Sequence, residues 1–159
     1  MKKLLAVLLV ALMSFTLLAG CSNPLYDDLE NFLNVEMKEV NADYEKIKAE
    51  VATWENLKDD AALAKSLNEV LLPLVNGSLT KLEAVNPATE EVKELKAKYA
   101  KVMDAYKIGF EALAKGCDTQ DQATIAAGNE SLNQGIAFLD EYNAALEALA
   151  KEVGAEIEY

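Results

Sequence analysis

Apolar residues recur at helical spacing through most of the chain, beginning near residue 29. From Val40 onward the first stripe advances in steps of four and three, the pattern of a helix that packs one face against other helices. No run of alternating apolar and polar residues competes with it as a strand. The first stripe consists of Leu29, Leu33, Met37, Val40, Tyr44, Ile47, Val51 and Trp54.

Three further stripes of the same kind follow. The second contains Leu63, Leu67, Leu71, Val70, Leu74, Val75, Leu79 and Leu82. The third contains Val92, Leu95, Tyr99, Val102, Tyr106, Gly109 or Phe110, and Leu113. The fourth contains Ile125, Gly128, Leu132, Gly135, Leu139, Tyr142, Leu146, Leu149 and Val153. Long helices with short connections near residues 58, 86 and 117 predict an all-α fold, an antiparallel up-down-up-down four-helix bundle.

Local signals predict where the later helices begin and end. Asn86 and Pro87 are suited to the N-cap and first position of the third helix. Gly116 is suited to follow the end of that helix. The sequence TQDQ, from Thr119 to Gln122, predicts a capping box at the start of the fourth helix.

A proline lies inside the second helical stripe. Pro73 lacks the amide that would bond the carbonyl of Glu69, and its ring clashes with that carbonyl, so we expect a kink or break near Leu72. The alternative to the four-helix bundle is therefore a three-helix bundle in which the second helix is broken at Pro73.

The first twenty residues have the layout of a secretory signal. Lys2 and Lys3 precede an apolar run of residues 4–18, which is too short to be a good permanent membrane span. The sequence LAGC, which ends at Cys21, resembles the lipobox of bacterial lipoproteins. That resemblance implies cleavage of residues 1–20 and a mature chain that begins at an S-acylated Cys21. An uncleaved N-terminal helix with an incidental cysteine is the alternative.

The domain boundaries follow from these assignments. Residues 1–20 are the predicted signal peptide and 21–24 the lipidated tether. Residues 25–154 form the predicted helical domain, and 155–159 are the predicted C-terminal tail.

Composition removes several classes of function. The net charge is −12, which disfavours nucleic acid as a partner. All 15 basic residues are lysine, so the bidentate guanidinium fork is missing. There is no histidine, which removes the usual general base, haem ligand and di-iron ligand. We therefore expect no enzyme, no cofactor and no metal; a carboxylate-based hydrolase is the enzymatic alternative.

One level of the predicted bundle has an unusual composition. Connections near residues 58, 86 and 117 would place Tyr44, Pro73, Tyr99 and Gly135 at one height, with Tyr106 facing Gly128. The simpler interpretation is a filled core in which glycine leaves room for a tyrosine ring. The alternative is a cavity for a small amphipathic ligand, with Tyr44, Tyr99, Tyr106 and Gly135 as candidate binding residues.

The second cysteine has no partner in the mature chain. With Cys21 acylated, Cys117 is predicted to be a free thiol at the end of the bundle far from the membrane, with a packing role.

The second half of the chain also resembles a known class of protein. The strings NPATEEVKELKAKYAKVMDAYKIGFEAL and NESLNQGIAFLDEYNAALEALAKEVGAEIE are similar to a domain of Gram-positive lipoproteins that have no assigned activity. The resemblance implies a helical lipoprotein domain and transfers one functional residue, Cys21.

Two functions follow as expectations. The first is a non-enzymatic, lipid-anchored extracytoplasmic bundle that contacts an unknown envelope or extracellular protein. Its anchor would lie in the cell membrane, or in the outer membrane if the source is Gram-negative. The second is a small-molecule binding module that uses the mid-bundle cavity.

Overall fold

The computed structural model describes residues 14–16 and 23–158, most of which are helical. The described helices are α1 (Pro24–Asn31), α2 (Lys38–Ala52), α3 (Asp60–Ser66), α4 (Leu72–Ala84), α5 (Glu90–Thr119) and α6 (Gln122–Val153). The predicted all-α class is confirmed. Within the described residues, no helix is both long enough and apolar enough to cross a bilayer.

The first predicted helix is divided at Met37. A π-helical segment, Phe32–Glu36, follows α1, and the amide of Met37 donates to the carbonyl of Phe32 at 2.9 Å. The wider turn brings Phe32, Leu33 and Met37 into the core together. As a result, the described chain forms five continuous helical stretches where the sequence pattern predicts four.

The second predicted helix is continuous past its proline. The π-helical segment Leu67–Leu71 joins α3 to α4, and Pro73 lies in the first turn of α4 with its ring exposed. The irregularity expected near Leu72 is therefore a π-helical turn just before this residue. The helix continues through it without a break. The alternative in which this helix is broken at Pro73 is wrong.

The helix caps differ from those predicted. α5 begins at Glu90, after an N-cap at Thr89, and Asn86 and Pro87 lie in the preceding connection. Thr89 makes no side-chain cap of its own. Instead Asp28 of α1 accepts hydrogen bonds from the amides of Ala88 at 2.9 Å and Thr89 at 2.8 Å. A carboxylate distant in sequence thus performs the capping, which local sequence signals do not reveal.

The connection between α5 and α6 lies later than predicted. Gly116 is inside α5, and the left-handed residue that ends this helix is Gln120, with φ of 54°. Asp121, not Thr119, caps α6, by accepting from the amide of Ala123 at 3.0 Å. Gly116 serves packing, because a Cβ atom there would lie 2.6 Å from Ile125 Cγ1.

α5 and α6 pack as a closely spaced antiparallel pair. A Cβ atom added to Gly128 would lie 2.9 Å from the carbonyl oxygen of Gly109, and one added to Gly109 would lie 3.1 Å from that of Gly128. The missing side chains allow the two backbones to approach. Leu132 and Leu113 cover the glycines from the opposite helix.

α2 runs antiparallel to α3 and α4, and polar contacts fix the register. Trp54 Nε1 donates to Ser66 Oγ at 3.0 Å, and Ser66 donates to Glu50 Oε1 at 2.6 Å. At the other end of this pair, Lys81 bonds Asp43.

Two short strands lie outside the helices. β1 (Ser14–Thr16) pairs antiparallel with β2 (Glu156–Glu158). Part of the predicted C-terminal tail is therefore paired to residues of the predicted signal segment. Cleavage after residue 20 would remove β1 and leave β2 without this partner.

Candidate functional site

The four tyrosines of the middle of the domain form two ring pairs. Tyr44 of α2 stacks on Tyr106 of α5, with ring centroids 6.4 Å apart and an interplanar angle of 26°. Tyr99 of α5 meets Tyr142 of α6 edge to face, at 5.1 Å and 67°. Between 1% and 7% of each residue is exposed, so all four are core residues. Three of these tyrosines, Tyr44, Tyr99 and Tyr106, are among the predicted candidates, whereas Tyr142 is not.

Gly135 contacts a different tyrosine from the one predicted. A Cβ atom at Gly135 would lie 2.5 Å from Cε1 of Tyr106, while Gly128 faces Gly109 and Leu113. The cause is the later turn between α5 and α6, which shifts the register by about two helical turns. Tyr106 is thereby brought opposite Gly135. At this point the core is filled by large-small complementarity, as the simpler interpretation expects.

On α4, Ser78 is closer in height to Tyr44 than Pro73 is. Asp43 is bonded by Lys81, which lies three residues beyond Ser78 on α4. Ser78 is completely buried, whereas Pro73 faces solvent. The sequence does not predict that Ser78 is buried, because a polar residue next to Gly77 is typical of a loop.

Three hydroxyl groups in this region are buried, those of Tyr44, Ser78 and Tyr106. The hydroxyls of Tyr44 and Tyr106 interact with each other, and this contact affects the pKa of both phenols. Burial raises the pKa of Tyr44, and the neighbouring Tyr106 raises it further. Burial also raises the pKa of Tyr106. Both phenols therefore stay protonated and neutral.

A buried carboxylate lies beside this cluster. Only 4% of Asp43 is exposed, and it accepts hydrogen bonds from Lys46 at 3.0 Å and from Lys81. Burial opposes ionisation of Asp43, but the hydrogen bonds from Lys81 and Lys46 outweigh it and lower its pKa below the usual range. The negative charge of Asp43 is therefore balanced by the two lysines.

Cys117 is a free thiol and is 7% exposed, at the end of α5. Burial raises its pKa, and the nearby carboxylates of Asp60 and Asp118 raise it further, so the reactive thiolate is disfavoured. Cys21 and the rest of the predicted lipobox lie outside the described residues. Within the described ranges, no group of three or more acidic or cysteine side chains is placed to hold a metal ion.

The chain matches a known protein family over nearly its whole length. A family model described as EMYY-motif containing lipoprotein matches residues 1–156. The four letters EMYY do not occur consecutively in this chain; its one Glu-Met pair is Glu36-Met37, followed by Lys38. No curated protein and no solved structure matched the chain.

Proposed function

Because the chain belongs to the EMYY-motif containing lipoprotein family, we propose that it is a non-enzymatic helical domain, held outside the cytoplasm by an acylated Cys21, that acts through contacts with another envelope protein. The sequence supports the non-enzymatic part, since it lacks the histidine that most proton-transfer and metal sites use.

The proposed arrangement is an up-down-up-down four-helix bundle in which α1 and α2 together form one rod. Contacts between α2 and α4, α4 and α5, and α5 and α6 support it, since these are the neighbours that such a bundle requires. The contact between α1 and α6 supports closure of the bundle on its fourth side.

The observation that carries the proposal is the short distance between the predicted anchor and the first helix. Asn23 caps α1, and α1 begins at Pro24, three residues after Cys21. Three residues span at most about 10 Å, so the domain would be held directly at the membrane surface. A lipid anchor with so short a tether restricts the partner to proteins at the same surface.

The end of the domain opposite the anchor carries four aspartates beside two lysines, Lys58 and Lys115. The α2–α3 connection and the α5–α6 connection meet there, as the effect of Asp60 and Asp118 on Cys117 indicates. Asp59 and Asp121 cap the two helices that begin at this end. We call these four aspartates the distal end. Their charge favours a partner with a basic surface.

Photocrosslinking in intact cells tests this proposal. A photoreactive residue at Asp118, at the distal end, should give a discrete adduct with another envelope protein. The same residue at Asp104, on the exposed side of α5, is the matched control and should give less of that adduct. Replacing Asp60 by lysine should reduce the adduct. Equal adducts at both positions, or none at either, would contradict a contact at the distal end.

A further inference from the structure

The pair of short strands joins the C-terminal end of the domain to the predicted signal segment. β1 and β2 are antiparallel, with Phe15 opposite Ile157. β1 also lies beside the π-helical segment Phe32–Glu36. We call the position of β1, between β2 and this segment, the strand seat. Cleavage after residue 20 would remove the strand that occupies it.

The position of β2 is fixed by the rest of the domain. α6 ends at Gly154, which is left-handed with φ of 73°, and the amide of Ala155 donates to the carbonyl of Ala150 at 2.8 Å. This turn directs the chain away from the helix. β2 then contacts α6, and Ile157 packs against the core. None of these contacts involves β1, so we expect the edge of β2 to persist after cleavage.

The vacated seat is suited to another extended segment. A strand without a neighbour exposes backbone N–H and C=O groups, which pair readily with a strand from another chain. The register of β1 shows what the seat accepts, namely an antiparallel strand whose central residue lies opposite Ile157. Residues that lie opposite each other in an antiparallel pair share one face of the sheet. The central residue of an occupant would therefore lie on the core side with Ile157 and should be apolar.

The charges around the seat favour a basic occupant. Glu156 and Glu158 flank Ile157 on β2, and Glu36 belongs to the π-helical segment beside β1. One carboxylate oxygen of Glu36, Oε2, has no hydrogen-bond partner among the described residues. The nearest lysines in the sequence are Lys38 and Lys151, on the adjoining helices. The seat therefore carries more acidic than basic groups, and its charge complements a segment with basic residues.

A second copy of the chain is a poor occupant. Two β2 strands paired about Ile157 would place Glu156 of each copy opposite Glu158 of the other. Like charges directly opposite each other in a sheet are destabilising. The seat is therefore suited to a different chain.

We propose that the strand seat, once the signal segment is removed, binds an extended segment of another envelope protein in which one apolar residue lies between two basic residues. This surface is separate from the distal end, because α6 begins there and its 32 residues span about 48 Å before β2. The inference rests on the cleavage after residue 20 that the proposed function includes, and it does not depend on a contact at the distal end.

A short peptide tests the seat. The acetylated and amidated pentapeptide Thr-Lys-Phe-Lys-Thr carries one apolar residue between two lysines. Labelled and added to the native mature protein in non-ionic detergent, it should bind in a saturable way and slow hydrogen exchange at the amides of residues 156–158. The same peptide with its three central amides N-methylated should bind at least about tenfold more weakly, the loss of one or more hydrogen bonds.

A charge reversal on β2 tests the basic preference. Glu156→Lys should weaken binding of the pentapeptide about two- to fivefold, the range of an exposed ion pair. It should also reduce the dependence of binding on salt. Glu141→Lys, at an exposed position on α6, makes the same change of charge away from the seat and should bind the peptide as the parent protein does.

Several results would overturn the inference. Equal binding of the plain and N-methylated peptides would show that no strand pairing occurs, and equal binding by Glu156→Lys and Glu141→Lys would place the peptide elsewhere. A dimer with protected amides at residues 156–158 would assign the seat to a second copy. A cleaved chain that does not bind the peptide contradicts this inference alone. A native chain that keeps residues 1–20 contradicts the proposed anchor as well, since β2 then keeps its partner.

Discussion

Tyr106 and Gly135 occupy one space that α5 and α6 share. The ring of Tyr106 lies where the side chain of residue 135 would begin, with Cε1 2.5 Å from the position of an added Cβ. Since only 1% of Tyr106 is exposed, its ring has no solvent-filled position to move into. The close approach of α5 and α6 at this level therefore depends on the absence of a side chain at Gly135.

We expect Gly135→Leu to destabilise the protein by about 1–3 kcal/mol, because the new side chain overpacks a filled site. Chemical denaturation, with unchanged slope as the sign of an unchanged fold, measures the effect. A more stable Gly135→Leu protein would mean that empty space exists at this level after all.

Gly77 provides the control for that experiment. It lies inside α4, and an added Cβ there would meet no atom within 4 Å. Gly77→Ala should therefore stabilise the protein by about 0.5–1 kcal/mol, since alanine restricts the unfolded chain and favours the helix. If Gly135→Leu lowers the stability and Gly77→Ala raises it, the loss at Gly135 is due to packing and not to helix propensity.

Asp28 should matter for the start of α5. Asp28→Ala removes the carboxylate that accepts from the amides of Ala88 and Thr89, and we expect a loss of about 1 kcal/mol, typical of a helix cap. Hydrogen exchange of these two amides should become faster. Asp27→Ala, an exposed neighbour on α1, is the control and should leave their exchange unchanged.

Asp43 should contribute to the acid sensitivity of the fold. Lysine hydrogen bonds lower its pKa in the folded state, so on acidification the unfolded chain takes up this proton first. The stabilisation is complete above the unfolded pKa, near 4, and is lost as the pH falls through the folded pKa. At neutral pH we expect Asp43→Asn to cost about 1–2 kcal/mol, less than for a fully buried pair because both lysines are partly exposed.

Denaturation curves at several pH values would test this. The difference between the parent and Asp43→Asn should shrink below about pH 4. Asp104→Asn, at an exposed position on α5, should show no comparable difference at neutral pH. A constant difference between Asp43→Asn and the parent across the whole range would show that the effect is not due to ionisation.

Helical periodicity predicts the fold class because burial of one face is a property of each helix alone. The stripes of α5 and α6 are buried nearly as the spacing predicts, including Tyr99, Tyr106, Leu139 and Tyr142. Periodicity says little about how far one helix is displaced along another. That displacement is set by where the turn lies, and here a local signal at Gly116 is misleading, because this glycine serves contact with Ile125.

The same error of register explains the differences at the candidate site. A turn near residue 117 would pair Tyr99 with Gly135, whereas the turn at Gln120 and Asp121 pairs Tyr106 with it. Ser78 could not be assigned from its surroundings, because Asn76, Gly77 and Ser78 together are typical of a loop. Its burial results from the contact of α4 with α2 and α5, which only the tertiary structure reveals.

The predicted lipid anchor at Cys21 can be tested by substitution. The sequence LAGC at the end of the signal predicts that residues 1–20 are removed and that Cys21 carries acyl groups, palmitate among them. Two acyl chains hold a protein on a membrane stably, because each buried methylene contributes about 0.8 kcal/mol. Cys21→Ser should therefore move the protein from the membrane fraction to the medium, whereas Cys117→Ser should leave it membrane-bound, since that buried thiol takes no part in anchoring. Mass spectrometry of the native protein completes the test. A species that keeps residues 1–20, or one with an unmodified Cys21, would show that the chain is not anchored in this way.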